Sequence, residues 1–135
     1  MKEKVKPTKI LYEDQKELWE KASSYILKLI KNQPCVKEAY IWASLAEGQF
    51  GIYEEEYQGR LASDIDLVIV LNENESIPKS WKYLHVEKSW FKLYKLGIFE
   101  YKGNAHPIDG LLVSPSIHDI RRMKEMLDRR SKRLM

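Results

Sequence analysis

Asp64 and Asp66 stand one residue apart in Ser63-Asp64-Ile65-Asp66-Leu67, at the head of a strongly apolar run. On an extended chain, residues two apart share a face, with Cα atoms about 6.6 Å from each other. Both carboxylates then project the same way, and Val68 and Val70 continue that face. Ile65, Leu67, Ile69 and Leu71 line the other. Like charges this close repel unless a cation sits between them. Hard divalent ions such as Mg²⁺ take oxygen ligands of this kind. Two such ions, about 3.5–4 Å apart, can clamp the attacking and leaving oxygens of a phosphoryl transfer. Asp109, in HPIDGLLVS, opens a second apolar run, with Leu111 and Val113 following on its own face. If the two runs are neighbouring strands, Asp109 completes a set of three metal-ligating acids. Taken alone, it could equally cap a local turn.

The elements that must position these acids follow from the pattern around them. Leu18, Trp19, Ala22, Tyr25, Ile26, Leu29 and Ile30 recur at helical spacing, which predicts an amphipathic helix over about 13–31. VKEAYIWAS, 36–44, is rich in β-branched and aromatic residues and reads as a strand. A long irregular connection with glycines at 48, 51 and 59 follows, then the strand 64–71 with apolar residues on both faces. Residues 81–102 supply a strand or two, with Gly97 and Lys102-Gly103-Asn104 as turn signals, and 106–114 supplies another. Ser114-Pro115-Ser116 starts a last, basic helix over 115–135, with Ile117, Ile120, Met123 and Leu127 on its buried stripe. The expected fold class is α/β in the broad sense (α+β): one domain over 1–135, a mixed sheet flanked by helices.

Composition bounds the function. The chain of 135 residues is 44% hydrophobic and 32% charged, as in a globular domain. It holds no apolar run of the ~20 residues needed to span a membrane, and MKEKVKPTKI lacks the apolar core of a signal peptide. A cytoplasmic setting is therefore expected. The single cysteine, Cys35, excludes an internal disulfide. Residues 121–135 carry seven Arg and Lys against two acids, a local +5, which leaves −2 on the other 120 residues of a chain whose net charge is +3. Such a tail could touch nucleic acid; a solvated helix face is the plainer reading and the one favoured. His85, His106 and His118 lack metal-ligand spacing and read as surface or packing residues.

A strand, then Ala43-Ser44, then a glycine-bearing loop, then Ser63-Asp64-Ile65-Asp66-Leu67 resembles the nucleotidyltransferase fold of the DNA polymerase β superfamily. The likeness is to its minimal nucleotidyltransferases of archaea and bacteria, and it covers roughly residues 36–113. The resemblance implies a catalytic set Asp64, Asp66 and Asp109. Asp64 and Asp66 would hold Mg²⁺, with two ions when an NTP, ATP in the first place, is bound. Asp109 would contribute to the second metal and act as base on an acceptor hydroxyl. Ala43, Ser44, Gly48 and Ser63 would lie against the phosphates. It further implies transfer of a nucleoside monophosphate with release of pyrophosphate, and partners such as a helical protein of HEPN type, as for antitoxins that adenylylate a toxin, or a second copy of the chain.

Three features depart from the family pattern and bear on turnover. The glycine before the serine is Ala43, the basic residue often found shortly after it is Glu47, and Ser44 lies 20 positions before Asp64, a longer interval than is usual. The extra segment Gln49–Gly59 carries Glu54, Glu55 and Glu56, as an acceptor-side lid or a solvated acidic loop; Arg60 is a candidate replacement cation, and Tyr53 and Tyr57 are candidates to stack a nucleobase. The competing readings are a degenerate, inactive binding or scaffold module of the same fold, and an RNA-binding module that uses the basic tail.

Overall fold

The computed structural model describes residues 8–57, 60–128 and 130–135, and their side chains apart from those of 54–57, 60 and 61. In chain order the elements are β1 (Lys9–Leu11), α1 (Gln15–Ile30), β2 (Val36–Trp42), β3 (Gly51–Tyr57), β4 (Arg60–Ala62), β5 (Ile65–Leu71), β6 (Lys82–Lys88), β7 (Phe91–Tyr101), β8 (Asn104–Val113), α2 (Ile120–Leu127) and β9 (Ser131–Arg133). Six strands form one sheet in the order β6-β7-β8-β5-β2-β9, and β1-β3-β4 form a small second one. Every ladder is antiparallel except β5 against β8. The mixed α+β architecture expected from the sequence is therefore present.

Alternation along the central strands decides what covers each face. Ile65, Leu67, Ile69 and Leu71 join Ala39, Ile41, Ile108 and Leu112 in a cluster closed by Leu18, Ala22, Ile26 and Ile30 of α1. Those four helical residues recur every fourth position and are fully buried, the stripe that a helix lays on a sheet. Asp14 caps α1, its carboxylate accepting the Glu17 N–H at 2.9 Å. On the opposite face Val68, Val70, Leu111 and Val113 pack with Trp90 and with Met123 and Leu127 of α2. Both faces of β5 are thus buried beyond Asp66, which leaves only its N-terminal mouth for polar groups.

The structure corrects four expectations. The basic C-terminal segment is not one helix over 115–135. Asp119 caps α2, its side chain accepting the Arg122 N–H at 3.0 Å, and the helix ends at Leu127. Residues 131–133 then add β9 to the edge of β2. Ile117 consequently precedes the helix and is 64% exposed instead of buried. The segment after Phe50 is paired strand, not irregular: β3 runs antiparallel to both β1 and β4. There Gly51 is required, because a Cβ would lie 2.0 Å from the Ile10 carbonyl oxygen. Gly97 is no turn; it lies inside β7 where the pairing with β8 slips by one residue, a bulge that glycine favours.

A buried polar network ties these layers together. His106 is fully buried, and its Nδ1 meets the Ser63 carbonyl at 2.8 Å. A carbonyl only accepts, so Nδ1 carries the proton and Nε2 accepts from the Tyr12 hydroxyl, also at 2.8 Å. Asn104 donates to that hydroxyl in turn, at 3.2 Å. Burial holds the His106 pKa below its ordinary value, only partly opposed by the bond to Ser63. The unfolded chain therefore takes up this proton first as pH falls, so the stabilisation is complete above about pH 6.5 and is lost below it. Urea denaturation should show falling stability between about pH 7 and about pH 5, with a shallower fall in His106→Gln. Equal slopes would remove His106 as the cause.

Candidate metal and phosphate site

The parallel ladder puts Asp66 of β5 directly beside Asp109 of β8. Across the other neighbours, Trp42 stands opposite Asp66, Ser131 opposite Trp42, and Lys95 opposite Asp109. One cross-strand row, Ser131-Trp42-Asp66-Asp109-Lys95, therefore crosses the sheet at the mouth of β5. Asp64, the last residue before that strand, completes the acidic group. The carboxylates of Asp64, Asp66 and Asp109 each offer an oxygen within 4.8 Å of the others, and all three residues are half-buried. Two oxygens bound to one hard cation at about 2.1–2.5 Å can be at most about 4.2–5 Å apart. Three acids this close together could hold a divalent ion.

Beside the acids lies a polar cleft of about 350 Å³, lined by Ala43, Ser44, Glu47, Ser63, Asp64, Asp66 and Arg130 among others. Its wall is the turn after β2. Ala43 takes a left-handed backbone, φ 66°, which turns the chain sharply off the strand. The Glu47 N–H then reaches the Ala43 carbonyl at 3.0 Å, and the Gln49 N–H reaches that of Ser44 at 2.9 Å. Glycine would adopt the same φ without a Cβ clash. Gly48, expected against the phosphates, is not part of the cleft lining; with φ 70° it closes the turn. Ser63 is 2% exposed, and its Oγ has no hydrogen-bond partner among the described residues.

Glu47 does not stand alone in the cleft wall. Arg130 donates to its Oε1 from Nε at 2.9 Å and from a terminal nitrogen at 2.7 Å. The guanidinium also lies over the Trp42 ring, 5.6 Å from its centroid. Sequence reasoning missed Arg130 at the site, because 83 positions separate it from Glu47 and its surroundings read as a helix. The side chains of Arg60 and Tyr57 lie outside the described residues, as do those of Glu54, Glu55 and Glu56. Tyr53 does line the cleft, with Lys9 of β1 5.7 Å from its ring centroid. The histidines stay apart from the acids: His118 accepts the Ser114 N–H and meets Glu87 at 3.0 Å, while His85 packs on Tyr83.

Two measurements follow. Replacing Ala43 by glycine removes the left-handed strain, less the added freedom of the unfolded chain, and should raise unfolding free energy by up to about 1 kcal/mol. A loss of stability would show that the methyl group packs favourably. Mg²⁺ or Mn²⁺ at millimolar concentration should raise the Tm of the protein but not that of Asp66→Asn, since an ion bound only to the native state stabilises it by mass action; equal responses would place the ion elsewhere. Among known proteins, no family model matches the chain, and neither a curated protein nor a solved structure matches it significantly.

Proposed function

We propose that the protein is a divalent-metal-dependent nucleotidyltransferase, moving a nucleoside monophosphate from an NTP, ATP in the first place, to a hydroxyl acceptor. The observation that supports this most is the convergence of Asp64, Asp66 and Asp109 next to a polar cleft whose wall is the sharp turn at Ala43-Ser44. Three acids gathered at two adjacent strands and a polar recess beside them are the parts that phosphoryl transfer needs.

In this reading Asp64 and Asp66 would hold Mg²⁺, and Asp109 would complete the set. A divalent ion held there would offset the charge that builds on the attacking and leaving oxygens. Ser44 binds the β- and γ-phosphates and fixes the α-phosphorus in line with the acceptor. The acceptor oxygen forms a bond to that phosphorus as its proton passes to the Asp109 carboxylate. The bond from the α-phosphorus to the bridging oxygen breaks, and pyrophosphate leaves with the electron pair. The protein's share is positioning and preorganised charge, with no covalent intermediate on a side chain.

The degenerate reading, a binding or scaffold module of the same shape, draws on the strained Ala43 and on the acid at Glu47. Incubation of the protein with each α-labelled NTP, Mg²⁺ and cell lysate separates the two. Labelled acceptor and released pyrophosphate are expected, and Asp64→Asn/Asp66→Asn should reduce transfer by at least about a thousandfold while retaining the fold. Transfer undiminished in the double variant would end the catalytic proposal, and absence of transfer from every NTP would favour the scaffold. A labelled protein, as against a nucleic acid, would identify the acceptor class.

A further inference from the structure

Glu47 poses an electrostatic problem for any triphosphate in the cleft, and the C-terminal segment answers it. After α2 the chain doubles back to the edge of the sheet. The Trp42 indole N–H donates to the Met126 carbonyl at 2.9 Å, the Ala43 N–H donates to the Arg130 carbonyl at 2.8 Å, and β9 pairs with the last three residues of β2. These bonds bracket Arg130 and aim it across the start of the Ala43-Ser44 turn. Its guanidinium spends Nε and one terminal nitrogen on a single oxygen of Glu47, and its other terminal nitrogen has no partner among the described residues. An arginine fork can bind one carboxylate oxygen and still present donors to phosphate. The ion pair offsets the Glu47 charge, and the guanidinium lies over the Trp42 ring. In the same cleft the buried Ser63 Oγ has no hydrogen-bond partner among the described residues.

We infer that Arg130, oriented by Glu47 and Trp42, binds the terminal phosphates of the nucleotide, so that a residue from the C-terminal segment does the work of the basic residue missing from the turn. This rests on the nucleotidyl-transfer reading. Glu47 is then a positioning residue whose carboxylate stiffens the arginine, and its presence is no longer at odds with an anionic substrate. The ligand feature recognised is the polyphosphate chain, common to all NTPs, so Arg130 does not choose the base.

Titration calorimetry with inorganic tripolyphosphate, in the presence of Mn²⁺, tests this without turnover. The protein should bind tripolyphosphate, and Arg130→Gln should weaken binding about 10- to 100-fold, the loss expected for charge-assisted bonds. Affinity for Mn²⁺ alone should stay unchanged, and Arg130→Lys, which keeps the charge without the fork, should fall between. Should Arg130→Gln fold poorly, Glu47→Gln serves instead: it keeps the Arg130 charge but removes the carboxylate that orients the guanidinium, and should weaken tripolyphosphate binding severalfold; unchanged or tighter binding overturns the inference that Glu47 positions Arg130. Arg130→Gln binding within twofold of the parent overturns the inference and leaves the nucleotidyl-transfer reading standing. No tripolyphosphate binding by the parent protein overturns both. A binding loss in Arg130→Gln, joined to absence of transfer from any NTP, keeps the phosphate site and discards the catalysis.

Discussion

Three carboxylates brought within 4.8 Å of one another repel, and the rest of the structure is built so that they cannot move apart. Like charges this close disfavour one another unless a cation sits between them. The backbone ladder between β5 and β8 fixes Asp66 beside Asp109, and the apolar residues beyond them anchor both strands from two sides. Val68, Val70, Leu111 and Val113 lock one face, and Ile65, Leu67, Ile69, Ile108 and Leu112 the other. A fully buried aliphatic side chain contributes about 1.5–3 kcal/mol, so a handful of them outweighs the repulsion. The acids are thus held in place mainly by apolar packing along the two strands.

The backbone before Asp64 is held by a second device. His106, three residues ahead of Asp109 on β8, grips the Ser63 carbonyl through Nδ1, and Tyr12 and Asn104 fix the ring from its other nitrogen. The side chain of Gln15, at the start of α1, donates to the Phe50 carbonyl and accepts its N–H, so the chain leaving the turn is tied to the same helix. These polar groups fix where Ser63 and Asp64 sit, while hydrophobic packing fixes Asp66 and Asp109. Position of the site is therefore divided between a hydrogen-bonded half and a packed half.

Much of this was legible in the sequence because it follows from local periodicity. Strict alternation from Ile65 to Leu71 assigns each side chain to a face, and the two-residue spacing of Asp64 and Asp66 puts both at one strand mouth. Asp109 was readable because Leu111 and Val113 repeat the pattern. What escaped depends on long-range pairing. The run Glu54-Glu55-Glu56 is a poor advertisement for a strand, yet β3 forms because β1 and β4 pair with it on either side. Ser114-Pro115-Ser116 looked like a helix start, but His118 accepts the Ser114 N–H and the chain turns before Asp119 provides the cap. The basic segment 121–135 read as the solvated face of a helix over 115–135, whereas β9 needs only three residues against the edge of β2 to be strand. Arg130 was hidden for the same reason.

The parallel pairing of β5 with β8 has a consequence for how the molecule comes together. Neighbours aligned in the same direction cannot be joined by a tight turn, and here β6 and β7 are laid down in between. Closing so wide a chain segment is entropically slow. The three acids that could hold an ion therefore meet only once this long-range pairing has formed.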